Sequence, residues 1–342
     1  MKAAVLYGPK DLRVEERPQP VPREGEVLLR VGVTGVCGSD LHVVNGVSPE
    51  PMAPDPVLGH ETMGTVVAVG EGVTAFRPGQ RLGVEPLIGC GQCDFCRSGN
   101  YHLCTKLELI GMERLGGFSE FIVAPQDKVF VLPDNVSDAA ASILDCVAVA
   151  VHVLNRAPIE LGDTVAVMGG GTIGNMIAQL AKARGAAHVV VTDLSEKRLA
   201  LARQVGIDEA VNAAGEPFAE LQRRLGGKVD VVIECVGGRA RTINQALQLV
   251  RPRGTIVFMG IFIEQVPVDL WQALRYEVTI RAAWSYAYHN MKREFATALE
   301  LAAGGQLKLD ELVTHRFPLE RISEAFAQAE RTAEAVKVVV QP

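Results

Sequence analysis

The chain has 342 residues, 48% of them hydrophobic and 22% charged, with a net charge of −6. That length exceeds one ordinary core and implies about two domains, while the apolar fraction excludes extensive disorder. The negative balance leaves no electrostatic footprint for nucleic acid or an anionic membrane surface. The opening MKAAVLYGPK lacks an apolar core followed by a small-residue cleavage site. The longest apolar stretch, residues 139–153, is interrupted by Asp145 and His152 and is too short to span a bilayer. A cytoplasmic protein with neither nucleic-acid nor membrane partners is the expectation.

Residues 1–136 read as short β-type runs punctuated by Gly and Pro, at 26–33, 65–69, 81–84, 118–123 and 128–131. Strand–helix alternation is missing there, which predicts a mainly antiparallel, barrel-like β domain. An Ala-rich helix is expected over 137–155. From Thr164 the pattern becomes regular: strands at 164–168, 188–192, 210–212, 229–234 and 255–259, with helices at 173–184, 196–205, 217–225 and 241–250. Continuous apolar strands alternating with amphipathic helices predict a doubly wound parallel sheet, completed by a sixth strand at 278–282. A last strand, 335–340, is expected to rejoin the first domain. The division expected is therefore 1–148 for the β-rich domain, 149–284 for the parallel sheet, and 285–342 for the return.

Cys90, Cys93, Cys96 and Cys104 fall within fifteen residues, GCGQCDFCRSGNYHLC. Two CxxC steps sharing a cysteine, plus a fourth thiol, suit a tetrahedral zinc ion. A disulfide framework is the alternative, disfavoured in a cytosolic chain whose thiols stay reduced. Four protein ligands leave no open position, so this zinc is structural.

The strand at 164–168 runs straight into Gly169-Gly170-Gly171-Thr172-Ile173-Gly174, a GxGxxG that opens a helix. Gly169 permits the turn, Gly171 lets backbone approach a pyrophosphate, and Gly174 allows close helix–strand packing. The helix N-terminus offers amide donors to the phosphates. Asp193 ends the second strand nineteen residues after Gly174. An acid there binds ribose hydroxyls and repels a 2′-phosphate, favouring NAD over NADP. Arg198 is expected to pack against adenosine or cap the helix, with a phosphate as its alternative partner. Thr172, Ile173, Leu194 and Val236 complete the cofactor-binding set expected around these turns.

Candidate ligands for a second metal lie in three segments: Cys37 in GVCGSDLH, His60-Glu61 in LGHE, and Asp145-Cys146 in ILDCVAVAVH. Taken with the cysteine lobe, GGFSEFIVAP and GGGTIGNMIAQLAKARGA, in this order and spacing, the chain resembles the zinc-dependent medium-chain dehydrogenases along nearly its whole length. Within that family it resembles the polyol, butanediol and threonine dehydrogenase branch, with a GroES-like catalytic domain and a Rossmann domain. The resemblance implies that Cys37 and His60 bind a catalytic zinc, with Asp145 as third ligand and Glu61 able to approach the metal. Asp145 is shorter than the more usual Glu, and Cys146 beside it is the alternative ligand. Ser39 and His42 match the family's proton relay, and Asp40 its partner for the zinc histidine. Cys235 is expected to be structural.

The implied reaction lowers the pKa of a substrate hydroxyl at zinc and passes a hydride to the nicotinamide. The substrate is a secondary alcohol of a polyol, diol or hydroxy-amino acid. Ser285-Tyr286 stands where many sorbitol dehydrogenases carry Arg-Tyr, and Glu113-Arg114 leaves a phosphorylated polyol open. Trp284, Tyr286 and His289 are candidate pocket residues. Two other readings stand beside this one: a zinc-free NADPH-dependent enone or quinone reductase, and a catalytically silent dinucleotide-binding scaffold. A homo-oligomer, dimer or tetramer, is implied by the resemblance, with the sixth strand available to pair across a twofold axis.

Overall fold

The computed structural model describes residues 1–47 and 54–342. Its parallel sheet runs Glu209–Asn212, His188–Asp193, Thr164–Met168, Val229–Glu234, Val250–Phe258, Thr279–Ala282 from edge to edge. Every pairing in it is parallel. The strand order reverses between Thr164–Met168 and Val229–Glu234, the point where a doubly wound sheet opens its ligand crevice. The central strands are apolar throughout because helices such as Thr172–Ala183 and Glu196–Gln204 cover their faces.

The second sheet is ordered Val313–Pro318, Lys337–Gln341, Glu26–Gly35, Glu61–Val69, Arg81–Val84, Val129–Val131, and Phe121–Pro125 also pairs with Glu26–Gly35. Glu26–Gly35 is its spine, ten residues with seven buried, and its register shifts near Leu28 and Val31 bend it around the core. Most pairings are antiparallel, as expected, but among the described residues none closes the sheet into a barrel. One pair departs from the pattern: Val313–Pro318 lies parallel to Lys337–Gln341. The helix Ile322–Glu330 between them supplies the crossover a parallel pair requires. The C-terminal strand joins the first domain through Val339 and Val340 opposite Gly35 and Thr34.

The helix expected over 137–155 divides into Asp138–Ser142 and Leu144–Arg156. Ser142 Oγ donates to the Ala139 carbonyl at 2.8 Å, competing with the helical ladder, and Ile143 adopts φ −110°, ψ 14°. The break matters for position, because it starts a new helix whose first turn holds Asp145. That second helix is buried along most of its length. One apolar cluster runs through it, from Val33 and Met63 in the β-rich sheet to Val165 and Val167 in the parallel sheet. Among the described residues no helix is long and apolar enough to cross a membrane.

Candidate active site and cofactor cleft

In the cysteine lobe, the Sγ atoms of Cys90, Cys93, Cys96 and Cys104 all lie within 4.8 Å of one another. Cys90 and Cys96 are 3.9 Å apart, about twice a disulfide bond, and all seven cysteines are free thiols. Backbone amides point at the sulfurs: Cys93 N to Cys90 at 3.4 Å, Cys96 N to Cys93 at 3.5 Å, Lys106 N to Cys104 at 3.3 Å. The amides of Gln92 and Cys93 hold the Cys90 thiol down at about 6, while burial pushes Cys96 up to about 12. Gly89 leaves the floor of this cradle open, since a Cβ there would sit 2.8 Å from Cys96 Sγ. The donor set and its amide support fit a structural zinc ion.

The second group is Cys37, His60 and Glu61, again with donor atoms within 4.8 Å of one another. Cys37 precedes the short helix Gly38–Val44, and Glu61 begins the strand Glu61–Val69. Asp40, fully buried, accepts from the Cys37 amide at 2.9 Å through Oδ2. Its Oδ1 lies 3.4 Å from His60 Nδ1, beyond a good hydrogen bond, so the pair is close but slack. These are two of the buried polar atoms without a partner, as expected of side chains that a metal on the other imidazole nitrogen would draw into line. Burial alone would lower the His60 pKa, but Asp40 and Cys37 raise it well above the usual value. A cation drawn to this group replaces that proton, so the residues present fit zinc.

Glu61 is held by partners that sequence reasoning did not assign. Lys337 Nζ donates to both carboxylate oxygens, at 2.6 and 2.7 Å, and to the Val36 carbonyl at 3.1 Å. Cys146 Sγ donates to Glu61 Oε1 at 3.0 Å. Burial opposes ionisation of Glu61, yet Lys337 and its other neighbours hold its pKa lowered. A Cβ at Gly35 would come 2.1 Å from Glu61 Oε2, so only glycine fits opposite this carboxylate. The available signal for Lys337 was a lysine inside an otherwise apolar final strand, KVVVQ.

Asp145 is half-buried beside the group but is not one of the three. Its Oδ1 accepts a 2.5 Å hydrogen bond from the Tyr286 phenol, and burial, with Glu61 adding to it, pushes its pKa up to about 6. Ser39 and His42 sit half-buried on the helix Gly38–Val44, and burial lowers the His42 pKa. Of the other pocket candidates, Trp284 stacks on His102 at 6.3 Å and His289 is exposed in a two-residue strand. Arg114 pairs with Glu108 and Glu26.

At the crevice, Gly169 adopts φ +101°, and a Cβ at Gly174 would meet the Gly169 carbonyl at 1.8 Å. Both positions therefore require glycine. Gly171 faces open space with only Arg198 near 4 Å, room for a phosphate at the first turn of Thr172–Ala183. Asp193 braces two turns, accepting from Gly170 N at 2.7 Å and Ser195 N at 2.8 Å, with Arg198 3.6 Å away. Leu194, 71% exposed, and Val236, 47% exposed, offer bare apolar surface for flat rings, with Ile173 half-buried between the glycine turn and the helix. The C-terminal segment passes directly behind: Ser195, Arg198 and Thr172 donate to the carbonyls of Ala333, Ala335 and Val336. The next residue is Lys337, so one short segment touches the dinucleotide turns and Glu61.

A parallel dinucleotide-binding sheet, a GroES-like β domain and two groups of zinc donors together define a zinc- and NAD-dependent dehydrogenase of alcohols or polyols. Residues 23–134 match the alcohol dehydrogenase GroES-like domain, and residues 172–304 match the zinc-binding dehydrogenase domain. Sorbitol dehydrogenase of Gallus gallus is 36% identical over 99% of this chain and 96% of its own length. An alcohol dehydrogenase from Escherichia coli CFT073, solved with NADH, is 31% identical with a TM-score of 0.92, covering 100% of this chain and 99% of its own. The 2R,3R-butanediol dehydrogenase of Bacillus subtilis is 30% identical with a TM-score of 0.88, covering 100% and 99%. The chain belongs to the zinc-dependent medium-chain dehydrogenase family.

Proposed function

We propose that this protein oxidises a secondary hydroxyl of a polyol or vicinal diol to the ketone with NAD+, reversibly, at the Cys37–His60 centre. The observation that carries the reading is the convergence of the donor atoms of Cys37, His60 and Glu61 within 4.8 Å of one another. Residues 1–148 and 285–342 form the catalytic unit in this reading, and 149–284 the cofactor unit. When bound, zinc lowers the pKa of the substrate hydroxyl and NAD+ takes the hydride from the carbinol carbon.

The chain's own groups do the rest. Cys37 and His60 hold the metal with a carboxylate from Glu61 or Asp145, and Asp40 orients the His60 ring. Ser39 passes the released proton to His42, which burial keeps neutral near pH 7 and so ready to accept it. Asp193 binds the adenosine ribose while Gly169, Gly171, Thr172, Ile173 and Gly174 cradle the pyrophosphate; Leu194, Arg198 and Val236 flank the rings. Cys90, Cys93, Cys96 and Cys104 hold the structural zinc. Intact donors at both sites favour this reading over a zinc-free reductase or a silent scaffold.

The protein works in this reading as a cytoplasmic homo-oligomer. The edge strand Thr279–Ala282 is exposed at all four residues, and the adjoining helix Leu270–Arg275 exposes Leu270, Trp271 and Leu274. An uncovered edge beside an apolar face suits pairing with a second copy across a twofold axis.

The test is NAD+ reduction against secondary alcohols, vicinal diols, polyols, polyol phosphates and threonine, with and without a zinc chelator. Chelator-sensitive turnover of polyols or diols is expected. Inertness of the fully zinc-loaded protein toward the whole panel would refute the assignment.

A further inference from the structure

Tyr286 reaches Asp145 from 141 residues further along the chain. It follows the last strand of the parallel sheet, Thr279–Ala282, by way of Ser285, whose φ of +55° is unusual for a residue with a Cβ. Its ring is fully buried, 6.2 Å from that of Phe295, and its hydroxyl ends 2.5 Å from Asp145 Oδ1. Glu294 fixes the neighbouring backbone by accepting from the Ala287 amide at 2.9 Å. The same carboxylate bonds His152 at 2.8 Å and Asn155 at 2.9 Å, on the helix Leu144–Arg156 that carries Asp145. Phenol and carboxylate are thus two groups on one clamped unit, and a rotamer change in either breaks the contact. Strain at Ser285 persists only where the surroundings over-determine it, and this clamp does so.

Resting on the reading of Cys37 and His60 as zinc ligands, we infer that Tyr286 is a positioning residue that selects the third ligand. Its O–H holds the Asp145 carboxylate turned from the metal group, so Glu61 completes the protein's donor set with Cys37 and His60. Three observations bear on this. Asp145 falls outside the group whose donor atoms gather within 4.8 Å, whereas Glu61 falls inside it. The Tyr286 phenol occupies Asp145 Oδ1, and a short charge-assisted bond of this type is strong and holds the carboxylate in place. Asp145 has one methylene fewer than a Glu, so its carboxylate has a shorter reach from the helix Leu144–Arg156. The neighbouring Cys146 is taken up by Glu61.

The inference makes a prediction opposite in sign to that of ordinary support. Removing an outer partner of a metal ligand normally weakens metal binding by about 10–100-fold. Here Tyr286→Phe frees an anionic side chain, so zinc binds more tightly at this site in a chelator competition. With cobalt in place of zinc at this site alone, the visible bands of Tyr286→Phe shift as a further carboxylate joins. Asp145→Asn, by contrast, leaves wild-type bands and metal content, and the double variant returns to wild-type bands. Weaker zinc binding or unshifted bands in Tyr286→Phe would overturn the inference, as would loss of metal in Asp145→Asn. If Tyr286→Phe does not fold, Asp145→Asn alone decides by its cobalt bands. None of these readouts needs a substrate, so a protein inert toward every alcohol would sink the dehydrogenase reading while still deciding the role of Tyr286.

Discussion

Lys337 Nζ lies 2.6 and 2.7 Å from the two carboxylate oxygens of Glu61, across 276 residues of chain. Both side chains are buried, so each charge depends on the other. Replacing Lys337 with Met strands an anion in the core. A loss of about 3–5 kcal/mol is expected, as for other broken buried pairs. Measured with the Cys37–His60 centre free of metal, urea denaturation of Lys337→Met should show that loss, and Lys337→Met combined with Glu61→Gln, compared in the same metal-free state, should recover much of it. Equal instability of single and double variants would show that packing rather than charge is at stake.

Asp193 accepts from the amides of Gly170 and Ser195, and in the proposed reading it also binds the adenosine ribose. Asp193→Asn keeps one acceptor but removes the negative charge facing a 2′-phosphate, with Arg198 only 3.6 Å away. Removal of a like-charge contact worth several kcal/mol should shift the ratio of kcat/KM for NAD+ over NADP+ toward NADP+ by about tenfold or more. Adding Arg198→Ala should take back the gain in NADP+ use.

The two metal groups are separable. Cys93→Ser should reduce zinc from about two per chain to about one and loosen the lobe, read as faster amide exchange over residues 90–104. Cys37→Ser should also remove one zinc but leave exchange in that lobe unchanged. Metal analysis with exchange distinguishes these outcomes from general unfolding.

Glu294 gives a pH signature. Burial opposes its ionisation, but the His152 imidazole, followed by Asn155 and the Ala287 amide, holds its pKa below the usual 4.5. Between its folded and unfolded values the unfolded chain binds the extra proton. The stabilisation is therefore complete above about pH 4.5 and fades as pH falls through the folded value. Glu294→Gln should melt lower than wild type at pH 7, with the gap closing as pH drops below 4.5. A gap that stays constant with pH would assign the effect to packing.

The parallel sheet was legible because its strands are uniformly apolar and separated by amphipathic helices; two of its expected strands, Thr164–Met168 and Val229–Glu234, have the boundaries observed, as does Arg81–Val84 in the β-rich sheet. The break at Ile143 was not legible, since an Ala-rich run reads as one helix and only the Ser142 back-bond interrupts it. The parallel pairing of Val313–Pro318 was hidden because strand direction depends on a partner many residues away. Lys337 drew no assignment from the sequence, because its partner Glu61 lies 276 residues away.

Local chemistry set what the sequence by itself determined. Metal-donor spacing in the cysteine lobe and the glycine pattern before a helix act over a few residues, and the acid at the end of the next strand follows nineteen residues after Gly174, so all three are readable along the chain. Which groups face one another at the catalytic centre is a different matter. Tyr286 against Asp145 and Lys337 against Glu61 join segments 141 and 276 residues apart. Pairings at that range are fixed by how the two sheets pack around the helix Leu144–Arg156, and only the folded chain brings those side chains within reach.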